Sequence, residues 1–289
     1  MIKLKASEKL RPSILLMATV MCAALYAVGS YATAYIPSPW GMGQFRPAVI
    51  IPSFFAVIFG PLPAGVGAAM GTLIADSVKH GRLYEGSLIA AVPGNFIGFY
   101  LLGYIVKRKF TWGRFILASN LTLTVANFIV ATLYIFAFKV LYAHALNLPL
   151  DALTFLVIGL TIWWFVTMLP FVLLVTPPLI KVAASSFPSI VPKGVRTHSL
   201  EQELPRATFS LAMIIPGILM LSMGLATTYT NLGRLMAANF GAVVQILVQI
   251  MFYVSGAVLS VLGLLFFTGK QFFSQKVSTG KTGRQKLKA

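Results

Sequence analysis

The chain contains one cysteine, Cys22, and only six acidic residues among 289. A single thiol excludes an intrachain disulfide and a cysteine-based zinc site, and it says nothing of the redox compartment. The three histidines, His80, His144 and His198, stand in separate segments without metal-ligand spacing. No glycine loop ending in Lys-Ser or Lys-Thr is present, so no nucleotide-hydrolysing site is expected. No acidic residue lies in the middle of an apolar run, which argues against a carrier built around an intramembrane carboxylate. The two halves show no clear inverted repeat. No catalytic residue, cofactor or metal is expected.

Charge of either sign is scarce. Charged residues make up 10% of the chain and apolar residues 58%, against about 25% charged in an average soluble domain. A soluble fold could not hide that much apolar surface, whereas lipid removes the need to. The charge that is present is mostly positive, with 23 Lys and Arg and a formal net charge of +17. No aromatic-and-basic surface pattern accompanies it, so nucleic acid is not expected as a partner. The cations cluster in short linkers between apolar runs, as they do where they anchor loops on the cytoplasmic side of a bilayer.

The expected fold class is all-α: a polytopic transmembrane bundle of about eight spans in a cell membrane. The runs lie at 14–36, 48–59, 63–75, 88–106, 115–142, 152–180, 207–228 and 236–268. A crossing needs about 20 residues, so the second and third runs are short. The turn Gly60-Pro-Leu-Pro-Ala-Gly65 separates them. They are two crossings assisted by their flanks or a re-entrant pair. The N-terminal apolar run follows basic residues and ends near the small triplet Ala32-Thr33-Ala34, as in a signal peptide. It exceeds the roughly 7–15 residues of a cleavable core, so it is read as a span.

The basic residues orient this map. With the N-terminus inside, the cytoplasmic segments hold Lys3, Lys5, Lys9 and Arg11; Lys107, Arg108, Lys109 and Arg114; Lys181, Lys193, Arg196 and Arg206; and six more from Lys270 to Lys288. Arg46, Lys79, Arg82, Lys139 and Arg234 remain for the outer side. This bias predicts both ends in the cytoplasm. It does so with the short pair counted as two crossings or as none.

Small and polar residues mark contact faces. Ala23 and Ala27 lie four apart in the first span, as do Gly67 and Gly71, and Gly94 and Gly98. Such stripes let helix backbones approach closely in lipid, either within the bundle or against a partner helix. The first outer loop, Pro-Ser-Pro-Trp-Gly-Met-Gly-Gln-Phe-Arg-Pro at 37–47, carries Trp40, Gln44 and Arg46. The next, at 76–87, carries Asp76, Lys79, His80, Arg82 and Glu85. It is a solvated loop with weak surface ion pairs or part of a ligand-capturing surface. Asn95, Asn120 and Asn127 lie within apolar runs, where no polar group can stay unpaired. They bond neighbouring helices or a neutral ligand. Trp163 and Trp164 in the sixth run anchor at the lipid interface or stack on a flat ring.

The order of these motifs carries a resemblance. FRPAVIIPSFFAVIFGPLPAGVGAAMGTLIADSV, from Phe45, resembles the second and third helices of the substrate-binding S components of energy-coupling-factor transporters. PGNFIGFYLLGYIVKRK, from Pro93, resembles that family's fourth helix and the basic linker after it. AALYA, from Ala23 to Ala27, fits its Ala-x-x-x-Ala pattern. The likeness covers about residues 13–180. It implies a six-helix substrate-binding bundle over 1–180 that captures a vitamin or similar micronutrient near the outer face. It also implies a coupling membrane protein and ATPase subunits as partners. By that resemblance Trp40, Arg46, Asn95, Asn127 and Trp163 are the expected substrate contacts, and Ala23 and Ala27 meet the coupling subunit. The remainder departs from the family pattern: a polar linker at 181–206, a two-helix hairpin at 207–268 and a basic tail at 269–289. That departure keeps two other functions open, a membrane sensor or scaffold and a stand-alone secondary carrier.

Overall fold

The structure is a computed structural model that describes residues 11–197 and 206–268. The cations before Arg11, part of the 181–206 linker and the basic tail lie outside the described residues. The described chain is a bundle of helices with no named strand.

Helix α1 (Pro12–Ala32) opens on proline, whose missing N–H is no loss in a first turn. It buries Ala18, Cys22, Ala23, Tyr26, Ala27 and Ser30. This stripe faces α3 (Pro61–His80), which is bare at Gly67 and Gly71. A methyl group at Gly67 would lie 2.5 Å from the Cys22 Cβ, and one at Gly71 would lie 2.7 Å from the Ala23 carbonyl oxygen. The small residues thus let the two backbones touch. Ala23 and Ala27 are buried inside the bundle, while the open face of α1 carries Leu16, Met17, Val20, Leu25 and Val28.

Helix α2 (Ile50–Ile58) follows a tight turn, Pro47–Val49. Together these twelve residues span about 18 Å if helical throughout. They are packed among α3, α6 (Leu150–Ser186) and the fourth helix. Gly60, at φ +90°, makes the reversal into Pro61. Helix α3 has twenty residues, about 30 Å, and so runs well past the 63–75 expected from hydropathy. Gly81 ends it in a left-handed cap, its N–H bonded to the Ser77 and Val78 carbonyls.

Helix α4 (Ser87–Arg108) begins with a wide π turn, Ser87–Ala91. Helix α5 (Trp112–Tyr142) ends with another, Leu133–Tyr142. The two helices meet at Gly94 and Gly98, where added methyl groups would lie 2.4 Å from Val130 and 2.5 Å from Ala126. Helix α6 has 37 residues, with Pro170, Pro177 and Pro178 in its interior.

A short turn of helix, α7 (Lys193–Arg196), precedes α8 (Arg206–Tyr229). The expected single span at 236–268 is instead two elements. Helix α9 (Asn231–Phe240) stops at Gly241, whose φ is +88°, and α10 (Ala242–Thr268) begins there. Helices α8 and α10 form a close pair. A methyl on Gly217 would lie 2.8 Å from the Ser260 nitrogen, and one on Gly256 would lie 2.8 Å from the Gly217 oxygen. The pair reaches the rest of the bundle through α5 and α6.

Among the described residues, six helices are long and apolar enough to cross a membrane: α1, α4, α5, α6, α8 from Ala207, and α10. Helix α3 has the length but is rich in glycine and carries Asp76 and Lys79, and α2 is too short. The eight spans expected thus resolve into six helices that meet both criteria and a shorter or more polar pair packed among them.

Candidate functional site

A cavity of about 300 Å³ lies at one end of the bundle. The 37–46 loop, the last turns of α3, the start of α4, the end of α5 and the middle of α6 wall it. Its rim reaches the surface at Gly41 and His80, both exposed.

The loop is a small, tied hairpin. Pro37 pairs with Gln44, the Phe45 N–H donates to the Ile36 carbonyl at 2.9 Å, and the Thr33 hydroxyl donates to the Phe45 carbonyl at 2.7 Å. Gly41 and Gly43 turn it with φ of +69° and +71°, a conformation that glycine adopts without strain. Gly43 also sits against Trp164: a methyl there would lie 2.5 Å from the indole ring. The Trp164 indole N–H donates to the Gln44 carbonyl at 3.1 Å. Trp164 thus ties the loop to α6.

The floor is a buried charge network. The Arg46 guanidinium donates to a carboxylate oxygen of Asp76 and to the Thr72 hydroxyl, and the pair is an ion pair. The Gln44 amide donates to the same Asp76 oxygen at 2.5 Å. Burial disfavours the Arg46 charge, but the Asp76 carboxylate and Tyr26 together outweigh it and hold the guanidinium above its ordinary range. Lys79 donates to the Ala34 carbonyl at 2.5 Å and to the Gln44 side-chain oxygen at 3.2 Å. Thr72, Asp76 and His80 are four apart, so α3 points all three in related directions.

Aromatic groups close the sides. The His80 ring is stacked on Tyr84 with centroids 3.8 Å apart and planes within 2°. The Tyr84 and Tyr134 hydroxyls are 3.2 Å apart. Burial raises the Tyr84 phenol above its ordinary value, so at neutral pH it is a hydroxyl that can donate as well as accept. The Asn127 amide reaches only the Met168 sulfur, at 3.8 Å. The Asn95 side chain makes no hydrogen bond among the described residues. Both carboxamides border the cavity.

Of the residues expected to contact substrate, Arg46, Asn95 and Asn127 therefore come together at the cavity wall. Trp40 and Trp163 do not. Trp40 packs edge-to-face on Phe155, centroids 6.3 Å apart, and against Gly159. Trp163 is buried behind Trp164, and it is Trp164 that borders the space. Neighbours on a helix point about 100° apart, so the phase of α6 decides between them. The outer segment expected at 76–87 is divided: Asp76, Lys79 and His80 belong to α3 and line the cavity, while Arg82 and Glu85 do not. Asp76 is a buried acid inside the bundle, where none was expected. The four-residue spacing of Thr72, Asp76 and His80 signals the extended helix. Nothing in the sequence signals that Tyr84 meets Tyr134.

The helices and this cavity define a multi-pass helical membrane protein with a charged pocket at one end of its bundle. Comparison with protein-family profiles, with curated proteins and with solved structures gave no match.

Proposed function

We propose that the chain is the substrate-binding subunit of a micronutrient uptake transporter of the energy-coupling-factor type, in a cell membrane, with its cavity facing outward. The observation that carries the reading is the cavity itself. It brings a positioned loop, two free carboxamides and stacked aromatic groups into one space among apolar helices. Small-molecule sites share this make-up, with a few placed polar groups in a concave wall. The motif order resembling the S components supports the same reading, and the cation bias supports N-in and C-in ends. Energy comes from ATPase partners through a coupling membrane protein, because the sequence carries no phosphate-binding loop.

Two measurements test this. Protein purified in detergent is extracted and the extract searched by mass spectrometry for a stoichiometric small molecule. Affinity purification from the native membrane then identifies partners. A retained micronutrient and a co-purifying ATPase pair are the expected result. Protein that retains nothing and binds none of a vitamin panel overturns the proposal.

One observation favours a second reading. Asp76 is a buried carboxylate bordering the cavity, and such groups serve as proton sites in secondary carriers. Uptake by the chain alone in liposomes, driven by an imposed proton gradient, would establish that reading. Uptake only with ATPase partners would establish the first.

A further inference from the structure

Resting on the reading of the cavity as a substrate site, we infer that its ligand is a small planar organic acid whose carboxylate is held by Lys79 and Lys139.

Charge carries the argument. Three cations border the cavity, Arg46, Lys79 and Lys139, against one carboxylate, Asp76. Arg46 and Asp76 neutralise each other. Neither lysine has a carboxylate partner among the described residues. Lys79 uses two of its protons on the Ala34 carbonyl and the Gln44 side chain, which leaves the third for a ligand. The Lys139 ammonium donates no hydrogen bond to a described residue. Its ammonium lies over the Tyr134 and Phe138 rings, 5.6 Å from each centroid. Both lysines are half-buried. Asp76 attracts the Lys79 ammonium and Arg46 repels it, so neither lysine has a counter-charge of its own. Ammonium groups drawn partly out of water in that state are unfavourable, and a bound anion offsets that. A cationic ligand would meet two like charges, and a neutral one would leave them uncompensated.

The type of anion follows from the donors. An arginine fork would grip a carboxylate or a phosphate in two places, and the fork of Arg46 is already engaged by Asp76 and Thr72. Two single-point ammonium donors on different helices suit one carboxylate. The rest of the ligand meets the flat His80–Tyr84 stack. Asn95 and Asn127 are left to donate to and accept from ring heteroatoms or substituents. The volume of about 300 Å³ is at the lower end of the range for small-molecule sites and suits one or two rings.

Local backbone structure agrees. Lys139 and Tyr134 lie in the wide terminal turn of α5, and the wide first turn of α4 packs against it. Such turns cost regular hydrogen bonding and concentrate at functional sites.

The test uses the full chain in lipid nanodiscs and matched acid–amide pairs: nicotinate with nicotinamide, benzoate with benzamide, biotin with biotin amide. Binding is read by calorimetry. Any molecule extracted from the purified protein is also run on an anion exchanger at pH 7. The expected result is an acid that binds at least about tenfold tighter than its amide, and an extracted ligand that is retained. Lys139→Met and Lys79→Met should each weaken the acid by about tenfold or more and remove the preference. Lys139→Arg, which keeps the charge, should retain it. Monodisperse elution and unchanged helical circular dichroism establish that each variant is folded. Binding without preference for the acid, an extracted ligand that is neutral or cationic, or a folded Lys139→Met that binds the acid normally overturns the inference but leaves the substrate-site reading standing. Failure of every pair together with an empty extract overturns both.

Discussion

Arg46 and Asp76, thirty positions apart, form an ion pair in which each residue is less than a tenth exposed. The pair joins the 37–46 hairpin to the last turns of α3 at the cavity floor. Removing one partner strands the other charge. Asp76→Asn or Arg46→Met should each destabilise the protein by about 3–5 kcal/mol. The double variant should cost less than the two single ones summed, because neither charge is then left alone. Thermal unfolding of the three proteins in one detergent checks this, and strict additivity would show that the two residues act separately.

The two loop glycines should behave differently. At Gly41 a methyl group meets nothing within 4 Å, so Gly41→Ala carries only the strain of a positive φ, of order 1 kcal/mol. Gly43→Ala carries that strain and a collision with the Trp164 indole. It should lower the melting temperature further and weaken ligand binding, since the loop must lift off α6. Equal effects of the two substitutions on both readouts would count against the clamp.

Ala23 offers a test of where the small stripe acts. It is buried beside Gly71, so Ala23→Leu should overpack the α1–α3 contact and destabilise the isolated chain by about 1–3 kcal/mol. If the stripe instead served only to meet a coupling subunit, the isolated chain would be unaffected and only assembly would fail. Melting temperature without partners and co-purification with them separate the two.

Orientation can be read with single cysteines in a Cys22→Ala background. Arg82→Cys follows α3 and Arg114→Cys begins α5, with α4 between them. A membrane-impermeant maleimide added to intact cells should label position 82 and spare position 114. The reverse labelling would turn the cavity toward the cytoplasm and remove the uptake reading.

The membrane-crossing helices were legible because lipid imposes a length: a run of about 20 apolar residues has few other uses. Ends and phases were less legible. Helix α3 outlasts its apolar run because Asp76, Lys79 and His80 find partners inside the protein, and hydropathy counts such residues as water-facing. The break at Gly241 disappears in a continuous apolar reading, since only a backbone angle marks it. At the cavity, Asn95 and Asn127 could be singled out as polar groups among apolar neighbours, and Arg46 through the resemblance and its place in the 37–47 loop. Trp164 could not be told from Trp163, because a turn of α6 by one residue exchanges them. The Arg46–Asp76 pair depends on two segments meeting in space, which no local pattern records.

The three prolines of α6 have a mechanical consequence. Each lacks an N–H, so the carbonyls of Val166, Leu173 and Leu174 lose their usual partners one turn back. All three lie below Trp164, the residue that clamps the hairpin. At 37 residues, about 55 Å, the rod outreaches a hydrocarbon layer of about 30 Å. Its weakest joint thus falls between the half that borders the cavity and the overhanging half. A push applied to the overhang bends α6 there first, and the swing reaches the hairpin through the aromatic contacts of Trp164, Trp40 and Phe45.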